Sequence, residues 1–527
     1  MKSCRILALA LLAWTSSLTL ASAEMVYHRG NPGDPATLDP AKTSTVPESD
    51  ILLDMFEGLV AYDAKANLVP GAAASWTVSA DGTVYTFRLR PDGKWSNGDI
   101  VKSGDFVFAL RRMLDPATGS GYANVLYSLK NAEKINKGAL KPEDLGVRAV
   151  DDATLEISLE AATPYFLGLL AHQSTMPVNQ AAVEKFGKDF VKPENMVSNG
   201  AFKLKDFTPN DKLTLVKNPF FHDAANVRID TEIFYPLEDR GAALRRFQAG
   251  EILSYNDVPT DQIKFIRANL GDQFKVSPYL GTYYFVFNMR KKPFDDARIR
   301  HALSMVVDRE FLAEQIWGGT MLPGYSFVPP GIGNYGTPAS LPYKDMSPIE
   351  REEKAIALMQ EAGYGPGKPL KIDIHFNTSE NHKNTSVALA DMWKPLGVEV
   401  TLTNTDIKTH YGLLRDKGDF DVARAGWIGD YSDPQNFLFL GQSDNKGLNY
   451  ATYANAKFDS AMQKAATTID ILERAKFLFE ADKIFNRDEP YLTLLTYGSK
   501  NLVSKRISGW EANTLDRHLA RYLSIAP

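Results

Sequence analysis

A chain of 527 residues with 44% hydrophobic and 23% charged side chains has the composition of an ordinary globular protein, and at ~150 residues per domain it predicts three or four domains. Its formal net charge of −5 comes without a basic stripe, which excludes the usual electrostatic footprint of a nucleic-acid partner. A single cysteine excludes a disulfide framework.

The chain opens with Lys2 and Arg5, an uncharged and mostly apolar run from Ile6 to Leu20, and the small-x-small triplet Ala21-Ser22-Ala23. This is the pattern of a cleaved export signal, residues 1–23, with the mature chain starting at Glu24. The run is shorter than the ~20 residues that span a bilayer. Cys4 precedes it, so it is not placed to carry the lipid of a lipoprotein. Cleavage would remove that one cysteine, leaving no thiol chemistry or cysteine metal site, and would take the net charge to −7. The expected location is the periplasm, in soluble form.

Strand and helix signals then intermingle. Ser75 to Arg90 reads as a hairpin about an Asp81-Gly82 turn, with Tyr85, Phe87 and Leu89 alternating after it. Thr282 to Asn288, "TYYFVFN", is a continuous β-type apolar run, as in a strand buried on both faces. Gly331 to Gly336 spells GxGxxG, but Pro329-Pro330 precede it and Pro338 stands where the phosphate-binding helix would start, so it reads as a loop. Ser347 to Gly363 predicts a helix with a Ser347/Glu350 capping box, Pro348 at its first position, a core stripe of Ala355, Leu358, Met359 and Ala362, and Gly363 closing it. The fold class is α/β.

Chemistry-bearing motifs are absent. The eight histidines form no HExxH or other metal spacing, and no GxSxG elbow or Walker loop occurs. No catalytic residue, metal or cofactor is expected.

Asp419 to Pro434, "DFDVARAGWIGDYSDP", mixes buried-type residues with Arg424 and Asp430. Asp430 is either a turn residue or a waiting carboxylate. Arg424 either pairs internally with Asp419 or Asp421 or waits for an anion, and Trp427 suits a core or a pocket equally.

Blocks of the sequence resemble, in order, the large periplasmic solute-binding proteins (family 5) that serve peptide ABC transporters, on their oligopeptide- and murein-peptide-binding branch. They are "FEGLVAYDAKANLVPGAAASWTVSADGTVYTFRLRPDGKWSNGD", "DFVFALRRMLDP", "VSNGAFKLKDF", "RFQAGEILSYNDVP", "GTYYFVFNMRKKPFDDARIRHAL" and "DVARAGWIGDY". The resemblance implies a bilobal clamp of two mixed α/β lobes joined by two hinge strands, with an additional inserted domain. Lobe I would comprise 24–56, 181–280 and 499–527, the inserted domain II 57–180 and lobe III 281–498, with crossings near Gly281 and Gly498.

The resemblance also implies roles. Asp430 would take the N-terminal amine of a short peptide, and the backbone of Ala425, Gly426 and Trp427 would bond it as an added strand, with Trp427 also walling a pocket. Arg424 would grip the C-terminal carboxylate, and longer peptides would carry theirs to His382 or Lys291. Tyr122, Tyr279, Tyr284, Tyr497 and Val46 would line the cleft, although the tyrosines could equally be packing residues. The expected partners are the peptide and an inner-membrane ABC permease, the protein itself being a monomer. The chain departs from the family pattern where Gly281 and Ile428 stand in place of a cysteine pair, Ser44 in place of an acid and Ile407 in place of a tryptophan. A narrower ligand, such as a cell-wall peptide with diaminopimelate, is the alternative, and with no nucleophile or metal motif a peptide binder is favoured over a periplasmic peptide hydrolase or a holder of unfolded chains.

Overall fold

The computed structural model describes residues 24–526 apart from positions 44, 334, 406 and 446, and leaves the side chains of 407 and 408 aside. The expected signal segment with Cys4, Ser44 and the Ile407 side chain therefore lie outside the described residues.

The alternating and continuous apolar runs assemble into one 11-stranded mixed sheet. Its order is Val398–Thr405, Leu370–Asn377, Val422–Ile428, Phe274–Phe287, Tyr491–Val503, Ser254–Tyr255, Val26–Asn31, Thr231–Pro236, Lys212–Lys217 and Phe202–Thr208, with Met321–Pro323 added on Tyr491–Val503. Two long strands, 274–287 and 491–503, pair with each other through both halves of the sheet. Their register breaks between Pro278 and Thr282, beside Gly281 and Gly498. Both glycines sit in crowded places: a Cβ on Gly498 would come within 2.4 Å of the Thr320 carbonyl oxygen, and one on Gly281 within 2.5 Å of the Ile428 side chain.

The "TYYFVFN" segment lies inside this sheet. Residues 282–286 pair with 422–428 on one edge and with 491–503 on the other. Both faces of it are covered, so Tyr283, Phe285 and Phe287 enter one apolar cluster while Tyr284 and Val286 enter another. That two-sided burial is why the run lacks polar alternation.

The hairpin forms as Ala73–Val78 against Val84–Leu89, with Gly82 at φ 71°, and belongs to a four-stranded antiparallel sheet with Thr154–Ser158 and Val147–Asp151. The helix spans Pro348–Glu361. Ser347 Oγ accepts from the Glu350 amide and the Glu350 carboxylate accepts from the Ser347 amide, completing the box. Ala355 and Met359 are buried, with Leu358 partly so, and Gly363 adopts φ 85°. The described residues of the GxGxxG motif, 331–333 and 335–336, lie in a loop, with Gly331 and Gly336 at positive φ. No described helix is long and apolar enough to cross a membrane.

Candidate functional site

Open space and unspent hydrogen-bonding groups meet at the Val422–Ile428 strand. The amide of Gly429 donates to Leu280 O at 2.7 Å and that of Asn288 to Asp421 O at 3.1 Å, which brackets the antiparallel ladder with 281–287 and sets its phase. In such a ladder only alternate residues exchange bonds with the partner. Ala423, Ala425 and Trp427 therefore spend their backbone groups on the neighbouring strand, and Arg424, Gly426 and Ile428 point theirs the other way.

On that other side, the Leu370–Asn377 strand bridges only Val422 and Ala423. His410 Nε2 bonds the Arg424 carbonyl at 2.7 Å. The edge consequently opens at Gly426. This corrects the expectation that the backbone groups of Ala425, Gly426 and Trp427 are all free for an added strand: of the three, Gly426 alone directs its groups away from the 281–287 strand. A Cβ there would sit 2.7 Å from Tyr497 Oη and 3.2 Å from Arg424 Nη2, so glycine is the residue that leaves the edge approachable.

Two charges flank this opening. Arg424 is 7% exposed, and its guanidinium donates to Asn377 Oδ1 (3.2 Å), Tyr411 Oη (3.0 Å) and Tyr497 Oη (3.0 Å), with the Tyr283 ring 5.0 Å beneath it. None of these partners is a carboxylate, and Nε has no partner. Asp419 and Asp421, the internal acids that could have paired with it, hold Lys291 instead, at 2.9 and 2.7 Å. A buried cation left with neutral partners is costly unless an anion joins it.

Asp430 accepts from Tyr122 Oη at 3.3 Å, and no cation forms an ion pair with it among the described residues. Burial pushes its carboxyl up to about 6, against the Tyr122 bond and the nearby Arg517 charge, which both favour the ionised form. It lines a cavity of ≈ 160 Å³ together with Val46, Tyr122, Tyr279, Ile428 and Arg517. Val46 and Ile428 are 44% and 37% exposed, apolar surface left open toward this space.

The sequence-derived candidates thus divide. Val46, Tyr122, Tyr279 and Asp430 come together around one cavity, and Arg424, Tyr497 and His382 around the guanidinium. His382 bonds Tyr283 Oη through Nδ1 at 3.0 Å; burial, with Arg424 and His410 nearby, holds it down at about 3, so it is a neutral imidazole at pH 7. It offers a carboxylate a hydrogen bond and no charge. Trp427 is half-buried, donating Nε1–H to Asn436 Oδ1 at 2.8 Å with Phe439 edge-on at 5.4 Å.

Two candidates lie elsewhere. Tyr284 is 1% exposed and stacks on Tyr491 at 4.7 Å beside Phe327, on the face of its strand opposite to the one where its neighbour Tyr283 lies under Arg424. Lys291, tied to Asp419 and Asp421, is spent on closing the strand's other end. Reading the sequence also missed Asn377, Tyr411, Tyr283 and Arg517. They come from four separate segments, and nothing in their local pattern sets them apart from ordinary polar surface or core.

Comparison with known proteins accords with this architecture. The family description "Bacterial extracellular solute-binding proteins, family 5 Middle" matches residues 67–449. The chain is 38% identical to the periplasmic murein peptide-binding protein MppA of Escherichia coli (strain K12), covering 93% of this chain and 90% of that one. It is 36% identical to the periplasmic oligopeptide-binding protein OppA of the same organism, covering 97% and 94%. The solved structure titled as the unliganded open form of the MppA periplasmic murein tripeptide-binding protein superposes with a TM-score of 0.86, at 36% identity, over 96% of this chain and 98% of that one. With its clamp-type sheet and its match across most of the sequence, this chain belongs to the bacterial extracellular solute-binding proteins of family 5.

Proposed function

We propose that the protein binds short peptides in the cleft at Gly426 and delivers them to an inner-membrane ABC permease. One observation carries this reading: an unpaired strand edge opens at Gly426 between a buried guanidinium and a half-buried carboxylate, neither of them in an ion pair among the described residues. An extended peptide supplies a strand for the edge, an ammonium for Asp430 and a carboxylate for Arg424. Recognition by main chain and termini tolerates varied side chains. Gly426 and Tyr497 limit how deeply the ligand backbone can settle, and Trp427 walls one side. Tyr284 and Lys291 have no part in this scheme.

The lobes divide at 24–56, 181–280 and 499–527 (lobe I), 57–180 (domain II) and 281–498 (lobe III). The register break beside Gly281 and Gly498 supports placing the hinge there. The protein acts as a monomer in the periplasm after removal of residues 1–23, and it turns over no substrate. Native mass spectrometry of protein taken from periplasm without dialysis tests the reading: a series of co-purifying peptide masses and an N-terminus at Glu24 are expected. Absence of any bound or added tripeptide would overturn it, and cleavage of the tripeptide would replace it with a hydrolase.

A second reading, a binder restricted to murein peptides, is favoured by the MppA likeness in sequence and in the open form. One co-purifying mass that fits a diaminopimelate tripeptide would select it.

A further inference from the structure

The Asp430 cavity carries a second charge that a simple amine site does not use. Arg517, in a loop near the C-terminus, lines the same space. Asn513 fixes that loop: its Nδ2 donates to Arg517 O at 2.8 Å and its Oδ1 accepts from the Arg517 amide at 3.1 Å. The guanidinium Nη1 donates to Ser49 Oγ and stands 3.8 Å from Asp50 Oδ1. Asp50 is already shared, because Arg29 lies 3.6 Å from its other oxygen. Arg29 has Glu232 as well, at 3.4 Å, but Arg517 is held only by the Ser49 hydroxyl and this one carboxylate at 3.8 Å, and its side chain stays 19% exposed on the cavity wall.

Asp430 stands in the same cavity bonded to Tyr122 and forms no ion pair with Arg517. A carboxylate and a guanidinium therefore share one small space with no direct ion pair between them. An ammonium alone would satisfy Asp430 and be repelled by Arg517. A ligand end bearing an ammonium and a carboxylate close together satisfies both.

We propose that the Asp430–Arg517 cavity selects ligands whose bound end is zwitterionic, an amino group with a carboxylate a few bonds away, and that Arg517 is the specificity-determining residue. This rests on the assignment of Asp430 to the ligand's amine. Two sources offer the chemistry: a peptide whose first residue is acidic, or the amino-acid end of a diaminopimelate side chain. Asp430 and Arg517 come from the segments assigned above to lobes III and I, so such an end would also tie the two lobes together.

Calorimetric titration of the ligand-stripped full-length mature protein tests this. Glu-Ala-Ala, Gln-Ala-Ala and Ala-Ala-Ala are compared with an N-acetylated tripeptide ending in meso-diaminopimelate, on wild type and Arg517→Gln. The first source predicts that wild type binds Glu-Ala-Ala about tenfold more tightly than Gln-Ala-Ala, the worth of one charge-assisted hydrogen bond, and that Arg517→Gln erases the difference. The second predicts binding of the acetylated diaminopimelate peptide, weakened about tenfold by Arg517→Gln. The proposal is overturned if wild type shows neither effect, a result that needs no variant to fold, or if whichever effect it shows persists in Arg517→Gln. Ala-Ala-Ala separates the layers: if it binds while both effects are absent, only this inference falls, and if no peptide binds, the proposed function falls with it.

Discussion

Asp430→Asn is the most informative single change, because the proposed function and ordinary stability push in opposite directions there. Asparagine keeps the shape and can still accept from Tyr122 Oη. It removes the charge that the ligand's amine would meet, and truncating one partner of a buried charge pair costs about 2–5 kcal/mol, roughly 30- to several-thousand-fold in affinity. The unliganded protein should gain. The folded carboxyl titrates at about 6, raised by burial from its ordinary 3.8. A carboxyl raised on folding binds more protons folded than unfolded between those two values, so its penalty is absent below the ordinary value, grows as pH rises through the window, and is complete above about 6. A shift of that size corresponds to at most ~3 kcal/mol, and partial exposure reduces it to roughly 1–2 kcal/mol. Denaturant titration without ligand at pH 7.5 and pH 4 should show Asp430→Asn more stable at the higher pH and level with wild type at the lower one. Calorimetry with a tripeptide at pH 7.5 should show the affinity loss. A variant that is destabilised at pH 7.5 and binds within about threefold of wild type would make Asp430 a structural turn residue and refute the amine assignment.

Three further perturbations address the other end and the edge. Arg424→Gln should fold normally, since its present partners are neutral, yet weaken a tripeptide with a free C-terminus by about 2–5 kcal/mol while barely affecting the amidated peptide; equal losses for both would show that Arg424 acts on packing. Gly426→Ala should lower affinity about tenfold or more for peptides of every sequence, because the new methyl crowds Tyr497 Oη and Arg424 Nη2 at the open edge; an unchanged affinity would place the ligand backbone elsewhere. Gly281 and Ile428 are cross-strand partners in register, so the double variant Gly281→Cys/Ile428→Cys should crosslink on oxidation, read by thiol titration before and after reduction. Two free thiols after oxidation would mean that the pairing is different. A Cβ on Gly281 would also press within 2.9 Å of Tyr497, so the crosslinked form should bind peptide more weakly.

How much of this was legible without a fold depends on the range of the cause. The hairpin at Gly82, the Pro348–Glu361 helix with its capping box and the buried 282–286 segment follow from neighbours a few residues apart, and local pattern dictated them. Order and spacing of the sequence blocks carried the family. Asp430 and Arg424 stood out as charges inside a buried-looking stretch, since burial without a partner is costly and invites a question.

What tertiary structure decided is pairing. Whether Arg424 was already neutralised depended on Lys291, more than a hundred residues away in sequence, which claims Asp419 and Asp421 first. Tyr283 and Tyr284 are adjacent and alike, and only the sheet's two covered faces send one under Arg424 and the other against Tyr491. The position of the open edge required the phase of a ladder and the point where a parallel neighbour stops pairing, neither of which is a property of "AGW" as text. Arg517 joins Asp430 in one cavity from a loop near the C-terminus. Electrostatic and hydrogen-bond partners are set by distance in space, and a linear sequence records only distance along the chain.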